Sequence, residues 1–370
     1  MIPINELSRG FRLFQKEYEE KAIEVLRSGW YVLGREVSCF EEEFASALGG
    51  GCYCAGVDNG LDAILVGLMA AGIGPGDEVI VQANGYIATM LGIMQCGAIP
   101  VFVEPDRDYQ LDVNNIAAAI SPKTKAVLVT HLYGLATRMD PIVEICREHN
   151  LMLFEDCAQS HFAAYKGIYT GLFGDASFFS FYPTKNLGGF GDGGGVVSRN
   201  KELIERVKVI RNYGSDYRYH NIAIGYNARL DELQAGLLRV KLSHMKTLLG
   251  NRDHIARRYL REITNPRVML PEIPGECNHT WYQFVVRVDN QAAFMEHLRK
   301  NGVATDIAWK TPPYLQPCMA EKFGYKRGAF PLTEAVCDSI VSLPMMDYME
   351  EEEISKVIME VNSYEGLAVD

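Results

Sequence analysis

The chemistry in this chain is concentrated in one stretch, ASFFSFYPTKNLGGFGDGGGVV, from Ala176 to Val197. It holds an apolar, β-prone run (Ser177 to Phe181), one lysine (Lys185) among uncharged neighbours, and glycine at six of the eight positions from 188 to 195. A strand that runs into a lysine and then a glycine turn suits a lysine held against a flat ligand. Glycines permit positive φ and close approach of the backbone. A primary amine with few partners, partly desolvated, can lose its proton and attack a carbonyl to form a Schiff base. A surface lysine beside a turn has the same local composition, so Lys185 alone does not decide. GGFGDGGG has the texture of a phosphate loop, but it lacks the GxxxxGK[ST] order. Upstream, the apolar run LMLFE ends in Asp156, followed by Cys157, Ala158 and Gln159. A carboxylate at the C-terminal end of such a strand faces the usual ligand crevice of an α/β sheet. There it can keep the ring nitrogen of a pyridoxal cofactor protonated, which makes that ring an electron sink. Taken alone, Asp156 reads rather as a turn or capping residue.

The elements that must position these residues alternate. Strands are predicted at Tyr53 to Val57, Glu78 to Val81, Pro100 to Val103, Ala126 to Thr130 and Leu151 to Glu155. Between them lie helices from Asn59, from Ile87 to Cys96, near Val113 to Ile120, and from Asp140 to about His149. Such alternation predicts an α/β fold: a largely parallel sheet with helices on both faces. Asn59 is placed to cap its helix, with Asp62 in the first turn, so the Gly60 and Leu61 amides point out of a helix N-terminus and could hold phosphate. A plain capped helix reads the same way. Asp140-Pro141 predicts an N-cap followed by proline at the first helical position. Leu230 to about Ile263 reads as one long helix leaving the large domain. Beyond it a smaller α/β unit is expected, with strands at Tyr282 to Val288 and Val303 to Ala308, a helix at Gln291 to Lys300 and a last helix opened by the acidic run Glu350 to Glu353. The expected division is a large domain over 1–245 and a small C-terminal domain over 246–370.

The composition narrows the class. The chain has 370 residues, 48% hydrophobic and 22% charged, with net charge −11 and nine scattered cysteines. The negative balance disfavours a nucleic-acid partner. No run of ~18 apolar residues is present, so no membrane span is expected. MIPINELSRG lacks a basic-then-apolar pattern, so no signal peptide is expected. Cysteine usage fits a reducing cytoplasm, and no metal site is expected, since only Cys52 and Cys54 are close.

Taken together, GVDNGLDAI, GPGDEVIVQANGYIAT, VLVTHLYG, FEDCAQS, SFFSFYPTKNLGGFGDGG, IGYNARLDELQAG and SLPM resemble the DegT-like sugar aminotransferases of the aspartate-aminotransferase fold, in order from about Ser28 to Pro344. The resemblance implies pyridoxal 5'-phosphate as cofactor, passing through its pyridoxamine form during turnover. It implies Lys185 as Schiff-base lysine and proton shuttle, Asp156 on the ring nitrogen, Tyr86 on the ring face and Gln159 near the ring hydroxyl. Phosphate contacts would come from Gly60, Leu61, Ser180 and, across a homodimer with shared active sites, Asn227. Tyr31, Arg229 and Tyr314 would border the substrate. The implied reaction moves an amino group from L-glutamate to a nucleotide-linked keto sugar, and SGWYVLG and GSDYRYHN most resemble members acting on dTDP- or UDP-linked 3-keto sugars. Alternatives are a C4 keto sugar, a free cyclitol ketone, or a non-catalytic regulator of the same fold. Three departures stand out. Leu61 occupies a position often Thr or Ala, Gly85 replaces a commoner Thr, and Tyr314 stands where a histidine is frequent. Family dehydratases carry histidine in place of the lysine, so Lys185 argues for transamination.

Overall fold

The computed structural model describes residues 1–366. A seven-stranded sheet runs in the order Tyr53–Val57, Gly194–Ser198, Ala176–Ser180, Met152–Asp156, Thr124–Thr130, Glu78–Gln82 and Ile99–Val103. Gly194–Ser198 is antiparallel to both neighbours, and the other strands share one direction. Buried strands flanked by helices on both faces carry near-continuous apolar runs, which is what the sequence has here.

The two-residue period of a strand decides which side chains meet. Phe154 and Phe178 turn to the face covered by helices Gly60–Ala70, Ile87–Gln95 and Lys201–Ile210, where they pack with Val57, Ile64 and Val81. Phe179 and Phe181 turn to the opposite face and pack with Phe40, Phe44 and Leu238 under helices Arg35–Ala47 and Glu232–Ser243. Two residues beyond Phe154 and Phe178 are Asp156 and Ser180, so both emerge on the first of these faces, at the strand ends. Glycines bring that face's helices in close. A Cβ on Gly67 would lie 2.3 Å from the Phe178 ring, and one on Gly92 would lie 2.6 Å from Ile64.

The smaller unit is a three-stranded antiparallel sheet, Val268–Met269, Phe284–Val288 and Ile340–Leu343, with helices Met245–Glu262, Gln291–Lys300 and Glu351–Asn362. The chain ends cross between units. Ile2 bridges to Val303, Met345 donates its amide to the Ile4 carbonyl, and Arg9 pairs with Glu353. In return, Tyr314 and Met319 join the first core of the large sheet, and Thr333 donates from its amide and hydroxyl to Glu104.

Several local expectations are corrected. The expected helix Leu230 to Ile263 is two helices, Glu232–Ser243 and Met245–Glu262, broken at His244 (φ −104°, ψ 4°). Val303 to Ala308 is not a strand. It makes isolated bridges at Val303 and Asp306 and then turns at Trp309, whose φ is +54°. The N-cap at Asp140 is instead Met139, because the Asp140 carboxylate is engaged by the Lys166 ammonium at 2.6 Å. None of the six glycines from 188 to 195 has positive φ. They are needed for their size: a Cβ on Gly188 would lie 2.5 Å from the Pro183 carbonyl oxygen, and one on Gly194 would lie 2.2 Å from that of Asn59.

Candidate active site

A cavity of about 530 Å³ opens where the strand ends meet the segment Asp306–Trp309 of the smaller unit. Its wall includes Asn59, Gly60, Leu61, Tyr86, Asp156 and Gln159. Ser180 and Lys185 close the same wall, with Thr89, Thr130, Tyr282 and Trp309. All the cofactor-side residues singled out in the sequence are thus brought together except Asn227.

The helix Gly60–Ala70 starts as its sequence dictates. Asn59 is extended, and its side chain accepts the Asp62 amide at 2.8 Å. Intrahelical bonding begins with the Ala63 amide, which donates to the Asn59 carbonyl. The amides of Gly60 and Leu61 are therefore left free, as the first turn of any helix leaves them. Ser180 lies against them: a Cβ on Gly60 would meet the Ser180 Cβ at 2.7 Å and its Oγ at 3.2 Å. Two free amides and a hydroxyl at a helix N-terminus form an anion cup.

Asp156 is buried at the floor. Thr89 Oγ1 donates to its Oδ2 at 2.7 Å, and the Ala158 amide donates to its Oδ1 at 3.1 Å. Burial pushes this carboxyl above its ordinary value, against the pull of Thr89, Ala158, Lys185 and His131. A cationic ring nitrogen beside it would relieve that cost, so the floor is built for a positive partner. Gln159 accepts the Tyr133 amide through Oε1 at 2.7 Å, which leaves its NH₂ to face the cavity. The Tyr86 ring is half exposed and stands 5.5 Å from the Trp309 ring, at 30°.

Lys185 lies in the loop after the strand, five residues beyond Ser180. Its Nζ sits 4.4 Å from the centre of the Tyr282 ring and 3.4 Å from the Tyr282 hydroxyl. Beneath it His161 is wholly buried against Phe179 and Phe181, with neither ring nitrogen bonded. Burial, with the nearby Lys185, pushes this imidazole down to about 3, so it is neutral.

The three residues assigned to the substrate are elsewhere. Tyr314 is fully buried in the core beside Phe102 and Phe330, and its hydroxyl donates to Glu334 at 2.8 Å. The family resemblance implied a substrate contact for it, but the helical turn Pro313–Leu315 rotates it inward, so it does not line the cavity. Tyr31 is exposed, and its hydroxyl donates to the Leu26 carbonyl. Arg229 donates to Asn212 at 3.1 Å and lies over the Tyr213 ring. Asn227 is exposed on the same segment. None of these lines the cavity of its own chain. Conversely, Thr89, Tyr282 and Trp309 do, and the sequence reading passed over them. Thr89 follows Tyr86 by three residues in a helix start, a spacing that could have flagged it. Tyr282 and Trp309 arrive only through tertiary packing.

His131, Glu155 and Cys157 form a close buried group. Two of its three members are already occupied: His131 bonds Glu155 and accepts the Thr137 amide, and Glu155 also accepts the amides of Gly171, Phe173 and Gly174. The cluster ties the strand end to the loop after it.

A family model, the DegT/DnrJ/EryC1/StrS aminotransferase family, matches residues 13–362. A dTDP-3-amino-3,6-dideoxy-alpha-D-galactopyranose transaminase from Aneurinibacillus thermoaerophilus is 45% identical over 365 residues, 98% of this chain and 99% of that one. The crystal structure of S. venezuelae DesV in complex with a ketimine intermediate superposes with a TM-score of 0.95 at 38% identity, covering 99% of each chain. That of NtdA from Bacillus subtilis with bound cofactor PMP has a TM-score of 0.87 at 27% identity, covering 94% of this chain and 80% of that one.

Proposed function

The chain belongs to the DegT/DnrJ/EryC1/StrS aminotransferase family, and from that premise we propose that it transfers the amino group of L-glutamate to a dTDP- or UDP-linked 3-keto hexose. The observation that carries the reading is the meeting, in one cavity, of a buried carboxylate, a lysine and an anion cup. That set matches the three ends of pyridoxal phosphate: ring nitrogen, aldehyde and phosphate. The relative from Aneurinibacillus, with its 3-amino-3,6-dideoxy product, supports the ring position.

When bound, pyridoxal phosphate supplies the electron sink that accepts the electron pair of a breaking Cα–H bond. The protein's residues do the rest. Asp156 holds a proton on the ring nitrogen, with Thr89 and the Ala158 amide fixing its carboxylate. The Gly60 and Leu61 amides and the Ser180 hydroxyl bind the phosphate. Tyr86 covers one face of the ring, and the Gln159 NH₂ donates to the ring hydroxyl. Lys185 Nζ would take the proton from the donor carbon and hold it within the cavity.

Charge supports a site shared across a homodimer. Lys185 is the sole Lys or Arg among the described residues lining the cavity, which also presents Asp156, Asp192 and Asp306. Glutamate, the phosphate and a nucleotide diphosphate bring several negative charges, so further positive or neutral donors must come from outside this chain's own wall. The exposed segment 212–229 carries Tyr213, Tyr217, Tyr219, Asn227 and Arg229, a composition typical of interfaces. On this reading the partner's Asn227 completes the phosphate cup with a neutral amide.

The test is a panel of nucleotide-linked keto sugars incubated with glutamate and the cofactor-loaded protein, with products identified by NMR. Amination at C3 of a dTDP- or UDP-linked sugar is expected, and none with Lys185→Ala, which should stay folded. Full turnover by Lys185→Ala, or amination of a free cyclitol alone, would overturn the reading.

A further inference from the structure

Tyr282 is flanked by a framework of hydrogen bonds to its backbone and to that of its neighbours. Its neighbour Trp281 sits at φ +53°, in the left-handed region. The Trp281 and Tyr282 carbonyls both accept from Arg252 Nη1, at 3.0 and 3.4 Å. Arg252 is itself buried and donates twice to Asp347 Oδ1, at 3.0 and 2.8 Å, while Lys241 reaches the other Asp347 oxygen at 3.3 Å. On either side, the Thr280 amide donates to the Gly134 carbonyl and the Gln283 amide to that of Tyr133. This framework delivers one aromatic ring and one hydroxyl to the Lys185 ammonium.

The hydroxyl has two neighbours, Thr184 Oγ1 and Lys185 Nζ, each at 3.4 Å. Burial would raise the phenol, yet Lys185, Thr184 and Arg252 together hold it below its ordinary value. An ammonium over an aromatic face is attracted by the ring quadrupole, and a hydroxyl at the ring's edge adds a second point of attraction. A lysine has a flexible four-carbon stem. Two weak attractions that meet at one place restrict where its nitrogen rests, without binding it so tightly that it cannot move.

We propose that Tyr282 is a positioning residue for Lys185: its ring and hydroxyl park the free lysine amine facing the cavity, within reach of the donor carbon, whenever that amine is not bonded to cofactor. The inference rests on the reading of Lys185 as the proton-carrying amine. Other groups bearing on that nitrogen are Asp156 from the floor and His161 from beneath, the latter neutral.

The test compares Tyr282→Phe, which keeps the ring, with Tyr282→Leu, which removes both features. In cofactor-free protein at one fixed pH, acylation of Lys185 by acetic anhydride is followed by peptide mass spectrometry. Removing ring and hydroxyl releases the amine, so acylation in Tyr282→Leu is expected to accelerate about tenfold, with Tyr282→Phe between it and the parent. In the loaded protein, the glutamate half-reaction of Tyr282→Phe is expected to slow about tenfold with KM unchanged, and α-deuterated glutamate to show a larger isotope effect than in the parent. Cofactor content and melting temperature should match the parent in both variants. Parent-like acylation and half-reaction rates in both variants would overturn the proposal. So would a rate loss that vanishes after correction for cofactor content, since Tyr282 would then serve packing alone. The acylation arm needs neither donor nor acceptor. A parent protein inert toward glutamate therefore sinks the amino-donor reading, while the acylation ratio still decides the role of Tyr282.

Discussion

Gly60→Ala tests the phosphate cup directly. The new Cβ would sit 2.7 Å from Ser180 Cβ and 3.3 Å from its Cα. Carbon atoms rest at ~3.5–4.0 Å, so the helix start and Ser180 must separate by about 0.8 Å. Hydrogen bonds near ~2.9 Å stretched by that amount pass out of range. The cup offers two amides and one hydroxyl to an anion, each bond to a charged group contributing ~1.5–3 kcal/mol. Losing one or two of them costs about 2–4 kcal/mol, which raises the Kd for pyridoxal phosphate roughly 30- to 700-fold. The same overpacking costs about 1–3 kcal/mol of stability, offset in part because Gly60 has no positive φ and alanine is favoured over glycine in a helix by up to ~1 kcal/mol, so binding is measured on protein whose melting curve shows it folded. The assay is equilibrium dialysis of the cofactor-free protein against pyridoxal phosphate and, in parallel, pyridoxal. The loss should appear for the phosphate ester and not for pyridoxal. Unchanged affinity, or equal losses for both, would show that the phosphate does not lie at this helix start.

Other expectations follow from the same geometry. Asp156→Asn should keep both hydrogen-bonded neighbours yet slow the half-reaction about 10²–10³-fold, as when a preorganised electrostatic partner is lost. Because burial raises the Asp156 carboxyl, the folded cofactor-free protein binds more protons than the unfolded chain above 3.8, so stability falls as pH rises through that window. The asparagine variant escapes this loss, and melting curves of the cofactor-free forms should show its advantage growing with pH; an advantage largest in acid would contradict the assignment. Asp347→Asn should cost about 3–5 kcal/mol at neutral pH by leaving Arg252 and Lys241 buried without their anion. Despite burial, those two cations hold Asp347 below its free value of 3.8, so its contribution is complete above that pH and is lost as pH falls through the lowered value. The gap between parent and variant in chemical denaturation should therefore close in acid. Asn227→Asp should leave a dimer by sedimentation but release cofactor on dialysis, and a monomer retaining cofactor and activity would refute the shared site.

Much of this architecture was legible because it is locally encoded. Strand and helix alternate with recognisable stops, Asn59 caps where it should, and Asp156 and Ser180 fall at strand ends two residues beyond large aromatic anchors. The period of a strand then puts them on one face without any further information. What was not legible depends on long-range packing. Nothing near Trp309 announces that its segment abandons extended structure and turns toward Tyr86. Tyr282 reads as the start of a strand, and its role depends on Arg252, thirty positions earlier in the chain. Tyr314 misled for another reason: the resemblance implied a place beside the substrate, but its neighbours in space are Phe102 and Phe330. The glycine run was read correctly for close approach and wrongly for backbone handedness, since both demands select the same residue.

The crossing of the chain ends sets when this protein can finish folding. Ile2, Ile4 and Arg9 find their partners at Val303, Met345 and Glu353, so these residues wait for partners made much later in synthesis. The large sheet, for its part, leaves Phe102 and Glu104 uncovered until the segment 313–333 arrives. Neither unit is complete alone, and a cut between the helices near His244 would leave apolar surface on both pieces. Contacts of such separation slow folding and lengthen the exposure of unfinished surface. Fragments would accordingly be prone to aggregate, and two separately expressed halves would have to associate before either became stable.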